Sequence, residues 1–366
     1  MKIGVLTSSR ADFGIYLPLL KKLQADTYFE LELIIFGTHL SKAHGETIQE
    51  IIQYNFNPTH QLNTYLPSDS PLALSKAIAH TSNLFADFWA NHTFDMVISL
   101  GDRYEMYAAV SAASPFNINI AHLHAGETTL GAIDNAYRHC ISLFSKYLFV
   151  TTEKYKKRAA EIVEASTQIY NVGALSVDNL ANIPYLSIPE FKAKFGIDLS
   201  KPTILSTFHP ETVSFEKNEA YIDALLKSFE QLISHYQIVI TMPNTDTMGQ
   251  MVRDKILAFQ QKQPLLKVVE SFGMLGYLSC MKHAAFLLGN TSSGFVEATY
   301  FPKYVINLGE RQKGRLETKN ILTTPVEASA ILAKVAQIEK LPLLKNLNIY
   351  GDGNTAEKII TILKSL

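Results

Sequence analysis

Three acids fall at short intervals in the first half of the chain. Asp102 follows Ser99-Leu100-Gly101, Glu127 follows His122-Leu123-His124-Ala125-Gly126, and Asp134 comes seven residues later. Arg138 and His139 lie one helical turn beyond Asp134. Carboxyl groups crowded into one cleft have their proton affinities pushed apart, which suits general acid–base work. Taken singly, each acid would serve as well as a helix cap or a surface charge. Three together at one rim favour chemistry, because perturbed acids cluster at sites. Of His122 and His124, one is expected to face the ligand and the other to pack in the core. His209, in Ser206-Thr207-Phe208-His209-Pro210-Glu211, either donates to a phosphate or sugar hydroxyl or is a loop imidazole satisfied locally.

A second set of residues suits an anion. The run Gly289-Asn290-Thr291-Ser292-Ser293-Gly294 follows an apolar stretch and is expected to open a helix. Backbone N–H groups at a helix start, joined by Thr and Ser hydroxyls, make a phosphate cradle; the same residues also make an ordinary hydroxyl cap. The run is neither a Walker A loop nor a Gly-x-Gly-x-x-Gly fingerprint. Glu297, one turn further, is placed for a ribose hydroxyl pair or as a first-turn acid favoured by the helix dipole. Arg10 can meet a phosphate with two donors or pair with Asp12. Arg311, Lys313 and Arg315 can neutralise a diphosphate or solvate a loop. Arg103, Arg138, Asn244, Asn290, Ser293 and Gly294 complete the candidate substrate contacts.

These residues need a scaffold that gathers them. Apolar runs of strand length alternate with helical segments along the whole chain. Strands are expected at Lys2–Thr7, Leu31–Phe36, Asp95–Leu100, Ile118–Leu123, Tyr147–Thr151 and Gln168–Val172, then at Thr203–Thr207, Gln237–Thr241, Leu266–Val269, Ala285–Leu288 and Tyr304–Asn307. Helices are expected at Tyr16–Leu23, Leu72–Ala90, Arg103–Ala113 and Ile133–Ser145. Such alternation implies parallel sheets covered on both faces. The fold class is therefore α/β, with two Rossmann-like domains facing a central cleft. The expected division is 1–175 for an N-terminal domain carrying the acids, 176–352 for a C-terminal nucleotide-binding domain, and 353–366 for a terminal helix packing back on the first. In open parallel sheets ligands sit beyond the carboxyl ends of the strands, and there the polar residues fall: Ser8-Ser9-Arg10, Gly101-Asp102-Arg103, His124 to Glu127, His209-Pro210-Glu211, Pro243-Asn244 and Gly289 to Gly294.

Bulk properties narrow the partners. The 366 residues are 47% hydrophobic and 18% charged, enough apolar chain for two cores. The formal net charge is −1 without a basic run, which argues against nucleic acid or an anionic membrane. Neither a bilayer-spanning segment nor a signal peptide is visible, so a cytoplasmic location is expected. Cys140 and Cys280 are far apart in apolar helical contexts, and no metal site is signalled.

The chain resembles the hydrolysing UDP-N-acetylglucosamine 2-epimerases over nearly its whole length. The likeness is carried by TSSRADFG at 7–14, GTHLS at 37–41, GDRYEM at 101–106, HLHAGETTLGAIDNAYRHCI at 122–141, NVGALSVD at 171–178, FHPET at 208–212, PNTD at 243–246, GNTSSGFVEA at 289–298 and INLGERQKGR at 306–315. The resemblance implies a glycosyltransferase-B type architecture. It also implies catalytic roles for Asp102, Glu127, Asp134 and His209, diphosphate and ribose contacts from Thr291, Ser292 and Glu297, a place near the diphosphate for Arg10, and the basic positions of the hinge-side loop for Arg311 and Arg315. It further implies a UDP-sugar substrate, no cofactor, and a homodimer or homotetramer built through the first domain. Asp12, Ala125 and Thr291 stand where the family more often has Glu, Gly and Ser. Gly126-Glu127-Thr128-Thr129 with Ala132-Ile133-Asp134 matches the hydrolysing branch, whereas the non-hydrolysing bacterial enzymes usually read Glu-Ala-Gly-Leu-Arg-Thr in this region.

The chemistry so implied is elimination of UDP with loss of the C2 proton to a 2-acetamidoglucal, then protonation of C2 from the opposite face and entry of water at C1. Asp102 and Glu127 are expected to move the protons while Asp134 tunes them or activates water. The same chemistry on UDP-N,N'-diacetylbacillosamine is the alternative within the family, whose members serve sialic- and legionaminic-acid routes. A non-hydrolysing epimerase, a glycosyltransferase of this architecture and a sugar-nucleotide sensor are the alternatives beyond it.

Overall fold

A computed structural model describes every residue of the chain except 68–69, 166–167, 214, 244–247, 346 and 348. Chain contacts divide it into two units. The first comprises Met1–Glu127, Ile133–Ala181 and Tyr350–Leu366; the second comprises Thr128–Ala132 and Asn182–Ile349.

The first unit is built on seven strands: β1 (Lys2–Thr7), β2 (Glu30–Ile35), β3 (His60–Gln61), β4 (Met96–Leu100), β5 (Ile120–Leu123), β6 (Tyr147–Val150) and β7 (Ile169–Asn171). Their order is β3-β2-β1-β4-β5-β6-β7, and every pairing is parallel. The second unit has β8 (Thr203–Thr207), β9 (Gln237–Thr241), β10 (Lys267–Val269), β11 (Phe286–Gly289), β12 (Val305–Leu308) and β13 (Ile321–Thr324), in the order β10-β9-β8-β11-β12-β13 and again all parallel. Both orders are the Rossmann pattern, running outward one way from the first strand and then jumping to its other side. The sheets are Rossmann-like α/β units. The central strands β1, β4, β8 and β11 carry almost wholly buried runs, as strands covered on both faces must.

Two strands were not expected from sequence. β3 is two residues long, and β13 is an edge strand, Ile-Leu-Thr-Thr, only partly buried. Neither has the continuous apolar run that marks an interior strand. The helices lie between strands. Ser9 caps the helix Arg10–Ala25 by accepting from the Asp12 N–H, and the long helix Pro71–Asn91 begins with a Ser70 cap and a proline at its first position. Trp89, buried where that helix meets the sheet, donates its indole N–H to the Ala109 carbonyl at 3.0 Å, so its polar edge is satisfied inside the core.

The first unit is completed by the last helix, Thr355–Ser365. Asp178 receives its first N–H groups, from Thr355 at 2.9 Å and Ala356 at 2.7 Å, and thereby caps a helix whose own Asn354 makes no side-chain cap. Lys22 and Glu357 also pair on this surface, but both are about half exposed and contribute little. Asp178→Ala should therefore lower stability by about 1–3 kcal/mol, the cost of leaving buried N–H groups unmet. Hydrogen exchange should rise selectively over 355–365. Unchanged protection there would show that apolar packing alone holds the helix.

Candidate active site

In a sheet of this topology the crevice opens where the strand order reverses, beyond the ends of β1 and β4 in one unit and of β8 and β11 in the other. In the first unit, Ser8-Ser9-Arg10 leaves β1 and Gly101-Asp102-Arg103 leaves β4. In the second, Phe208-His209 leaves β8 and Asn290 to Gly294 leaves β11.

At the end of β1, Asp12 turns back onto its own loop rather than toward Arg10. Its carboxylate accepts from the Ser8 N–H at 3.0 Å and the Ser8 hydroxyl at 2.7 Å. Burial raises its proton affinity even with Arg103 nearby. The loop is braced by Gly37-Thr38-His39: Thr38 donates its N–H to the Ser8 carbonyl at 2.9 Å, and His39 joins the Thr7 hydroxyl at 2.9 Å to that of Thr47 at 2.8 Å. Gly37 is required here, with φ +62° and a would-be Cβ only 2.7 Å from the Ser8 oxygen. Arg103 is gripped by both oxygens of the buried Glu105, at 3.2 and 2.9 Å, in a two-point fork.

The acids are linked through Arg138, which is almost wholly buried on the helix Asp134–Phe144. One guanidinium nitrogen pairs with the Asp102 carboxylate, and another donates to the backbone carbonyl of Glu127 at 3.0 Å. Asp134, four residues earlier, lies on the same helical face. Glu127 is 1% exposed; one oxygen accepts from the Thr151 hydroxyl at 3.1 Å and lies 3.1 Å from His124 Nδ1. The two histidines separate because β5 ends at Leu123. Strand alternation would have turned residues two apart to the same face. His122, still on the strand, is fully buried between the Gly101 carbonyl at 2.8 Å and the Ser142 hydroxyl at 3.0 Å. His124 lies beyond the strand in left-handed backbone, φ +64°.

Two of these buried imidazoles make stability depend on pH. Burial holds His39 and His122 down to about 3. In the unfolded chain each takes a proton near pH 6.5. Stability is thus complete above the unfolded value and is lost as pH falls from there toward 3, by up to about 1.4 kcal/mol per pH unit for each ring. Urea unfolding at about pH 7.5 and about pH 5 checks the sign. A stability that is level or higher at the acid end would refute it.

In the second unit Asn290 spans the crevice. Its side-chain oxygen accepts the His209 N–H and its nitrogen donates to the His209 carbonyl, both at 2.7 Å. Gln312 donates to the Asn290 carbonyl at 2.7 Å and accepts from Arg315 Nε at 2.6 Å. Arg311 donates to the Pro210 carbonyl at 3.1 Å. The basic trio therefore divides: Arg311 and Arg315 turn inward, while Lys313 stays exposed beside Glu310. Thr291, Ser293 and Tyr277 are joined by hydroxyl contacts of 3.1 and 2.7 Å, and burial pushes the Tyr277 phenol up to about 12. The expected helix after this loop is short: a single 3₁₀ turn at Ser292–Gly294, then Glu297–Tyr300. Any anion cradle here rests on the N–H groups opening that turn and on the hydroxyls, rather than on the dipole of a long helix. Thr128–Ala132, the residues directly after Glu127, lie in this unit, where the Leu130 N–H donates to the Lys313 carbonyl at 2.9 Å. Asn244 lies outside the described residues. Sequence reading gave no role to Thr151, Glu105 or Gln312, and placed Glu211 only by its position after a strand; its carboxylate accepts the Glu310 N–H at 2.8 Å. Thr151, Gln312 and Glu211 act through partners remote in sequence, 24, 22 and 99 residues away, and Glu105 through Arg103 two residues before it; none carries a local signature of that role.

A family model described as UDP-N-acetylglucosamine 2-epimerase matches residues 21–364. The chain is 33% identical to the polysialic acid biosynthesis protein P7 of Escherichia coli, over 99% of its own length and 93% of that protein's. It is 32% identical to a hydrolyzing UDP-N,N'-diacetylbacillosamine 2-epimerase of Legionella pneumophila, over 100% of its length and 96% of the relative's. Its fold is that of the UDP-GlcNAc 2-epimerase from Neisseria meningitidis solved bound to UDP-GlcNAc, with a TM-score of 0.85 across the whole of both chains at 20% identity. Two Rossmann-like sheets of the glycosyltransferase-B type, with Asp102, Arg138 and Glu127 tied together at the strand ends of the first, accord with that match: the chain belongs to the UDP-N-acetylglucosamine 2-epimerase family of enzymes.

Proposed function

We propose that the protein is a hydrolysing 2-epimerase that takes UDP-N-acetylglucosamine to UDP and N-acetylmannosamine. The observation that carries this is the linked set Asp102–Arg138–Glu127–His124. It supplies two separate proton-handling groups held by one buried arginine. The C2 hydrogen of a glycoside is not acidic, so its removal must accompany departure of UDP. Arg10, Arg103, Arg311 and Arg315, with the hydroxyls of Thr291 to Ser293, suit a leaving diphosphate, and Glu297 suits the ribose. His209, its backbone locked by Asn290, is suited to donate to a diphosphate or sugar oxygen. Asp134 is suited to direct the incoming water. The glycal left after elimination gains a proton at C2 on the opposite face and water at C1. Such a reaction needs no redox step. The motif order Gly126-Glu127-Thr128-Thr129 to Asp134 supports the hydrolysing outcome, as does a hydrolyzing relative at 32% identity.

That same relative favours a second reading, in which the substrate is UDP-N,N'-diacetylbacillosamine. The test is to incubate the protein with each UDP-sugar in turn, following UDP release and the sugar's proton NMR spectrum. A free manno-configured sugar with stoichiometric UDP is expected, and the faster substrate names the reading. A UDP-linked epimer would make the enzyme non-hydrolysing. UDP release only on adding an acceptor would make it a transferase, and UDP binding without turnover a sensor. The cytoplasmic location and the homo-oligomer belong to the same proposal; cell fractionation and light scattering test them. Among the described residues no helix is long and apolar enough to cross a membrane.

A further inference from the structure

His124 combines three features that its neighbours lack. It is a non-glycine residue held at φ +64° directly beyond a catalytic strand. Its Nδ1 lies 3.1 Å from a carboxylate oxygen of Glu127, whose own exposure is only 1%. Its Nε2 is buried and has no hydrogen-bond partner among the described residues. A left-handed residue with a bulky side chain is strained and persists where the surroundings over-determine it, a pattern that gathers at active sites. A buried ring nitrogen without a partner is likewise costly unless something else is to meet it. Glu127, by contrast, is almost wholly buried, and its Oε1 is shared between the Thr151 hydroxyl and His124.

From this geometry we infer that His124 is the catalytic residue that removes the C2 proton of the sugar, through Nε2, and that Glu127 is its positioning residue. The inference rests on the hydrolysing-epimerase reading and sharpens one step of it. With Glu127 as a carboxylate, the Nδ1–H of His124 donates to Oε1, which fixes the tautomer and leaves the Nε2 lone pair bare. Nε2 takes the C2 hydrogen as a proton. The C2–H pair becomes the C1–C2 double bond, and the C1–O pair leaves with UDP. The resulting imidazolium is balanced by Glu127 and gives its proton to solvent. Asp102, beside Arg138, then supplies the proton that reaches C2 from the other face. Water adds at C1 and returns a proton to Asp102. The sum is UDP-sugar plus water giving UDP and the free 2-epimer.

His124→Gly is the informative variant, because glycine takes φ +64° without strain. It removes the imidazole and relieves the backbone rather than breaking the fold. Elimination, read as UDP release, should fall about a thousandfold, within the range of a lost general base, and added imidazole should restore part of it. Hydration of supplied 2-acetamidoglucal in the presence of UDP should survive within about tenfold, since Asp102 carries that step. Glu127→Gln should lose less elimination than His124→Gly. The inference is overturned if His124→Gly keeps elimination within tenfold of wild type, if imidazole does not rescue it, or if Glu127→Gln is the more damaging change. A wild-type protein that releases no UDP from either sugar nucleotide sinks the underlying reading. Wild-type turnover with an indifferent His124→Gly sinks only this step.

Discussion

Asp102→Asn should lower the turnover number by about a thousandfold while leaving UDP affinity where it was. Asparagine keeps the shape and can still accept from Arg138, so the link from Asp102 through that guanidinium to the Glu127 carbonyl survives. What is lost is the ability to hold and release a proton, an ability worth about 10²- to 10⁴-fold when it belongs to a positioned general acid or base. Of the groups suited to the diphosphate, Arg10, Thr291 to Gly294, Arg311 and Arg315 lie in other segments, and the neighbouring Arg103 keeps its fork to Glu105, so UDP binding should be unaffected. A loss confined to the chemical step appears in kcat and kcat/KM together, with the UDP dissociation constant from calorimetry unmoved. If the variant keeps more than a tenth of wild-type turnover, Asp102 carries no proton and serves only as the counter-charge of Arg138. If it binds UDP far more weakly, the residue holds the ligand instead. Supplied glycal should also go unhydrated in this variant, the reverse of the behaviour set out for His124→Gly.

The parts legible in sequence are those whose cause is local. Thr203–Thr207 and Gln237–Thr241 are β-rich runs that begin and end on polar residues, and both strands fall on those residues. β13 escaped because an edge strand needs no apolar run, and β3 because two residues leave no period to detect. The positions of polar residues after strand ends were readable, since the parallel topology alone puts them at the rim. What they touch there was not. Arg138 lies 36 residues from Asp102, and its burial depends on the packing of the helix Asp134–Phe144. The turn of His124 out of the strand depends on β5 ending at Leu123. The division of Arg311 and Arg315 from Lys313 depends on the Pro210 and Gln312 groups that receive the arginines. Pattern carries direction along the chain; contact between distant segments has to be built before it can be read.

Gly126 offers the sharpest test of that contact, and its comparison with Gly101 isolates the cause. Both precede an acid of the proposed chemistry, and both have left-handed backbone, φ +73° and +76°. Alanine therefore meets about the same intrinsic strain at each, about 1–2 kcal/mol. Their surroundings differ. A Cβ on Gly101 meets nothing within 4 Å, whereas a Cβ on Gly126 would lie 2.3 Å from the Tyr155 carbonyl oxygen and 3.0 Å from the Ala159 backbone nitrogen. Backbone cannot swing aside as a flexible side chain can, so the helix Glu153–Val163 or the Glu127 loop must shift. Overpacking of that kind adds about 1–3 kcal/mol to the strain. Gly101→Ala should thus shift the urea midpoint modestly, while Gly126→Ala should lose about 2–5 kcal/mol. Activity should separate further, because displacing the peptide next to Glu127 moves its carboxylate against both Thr151 and His124. Equal midpoints for the two variants would mean that the helix yields freely. Equal activities would mean that the placement of Glu127 does not govern the rate.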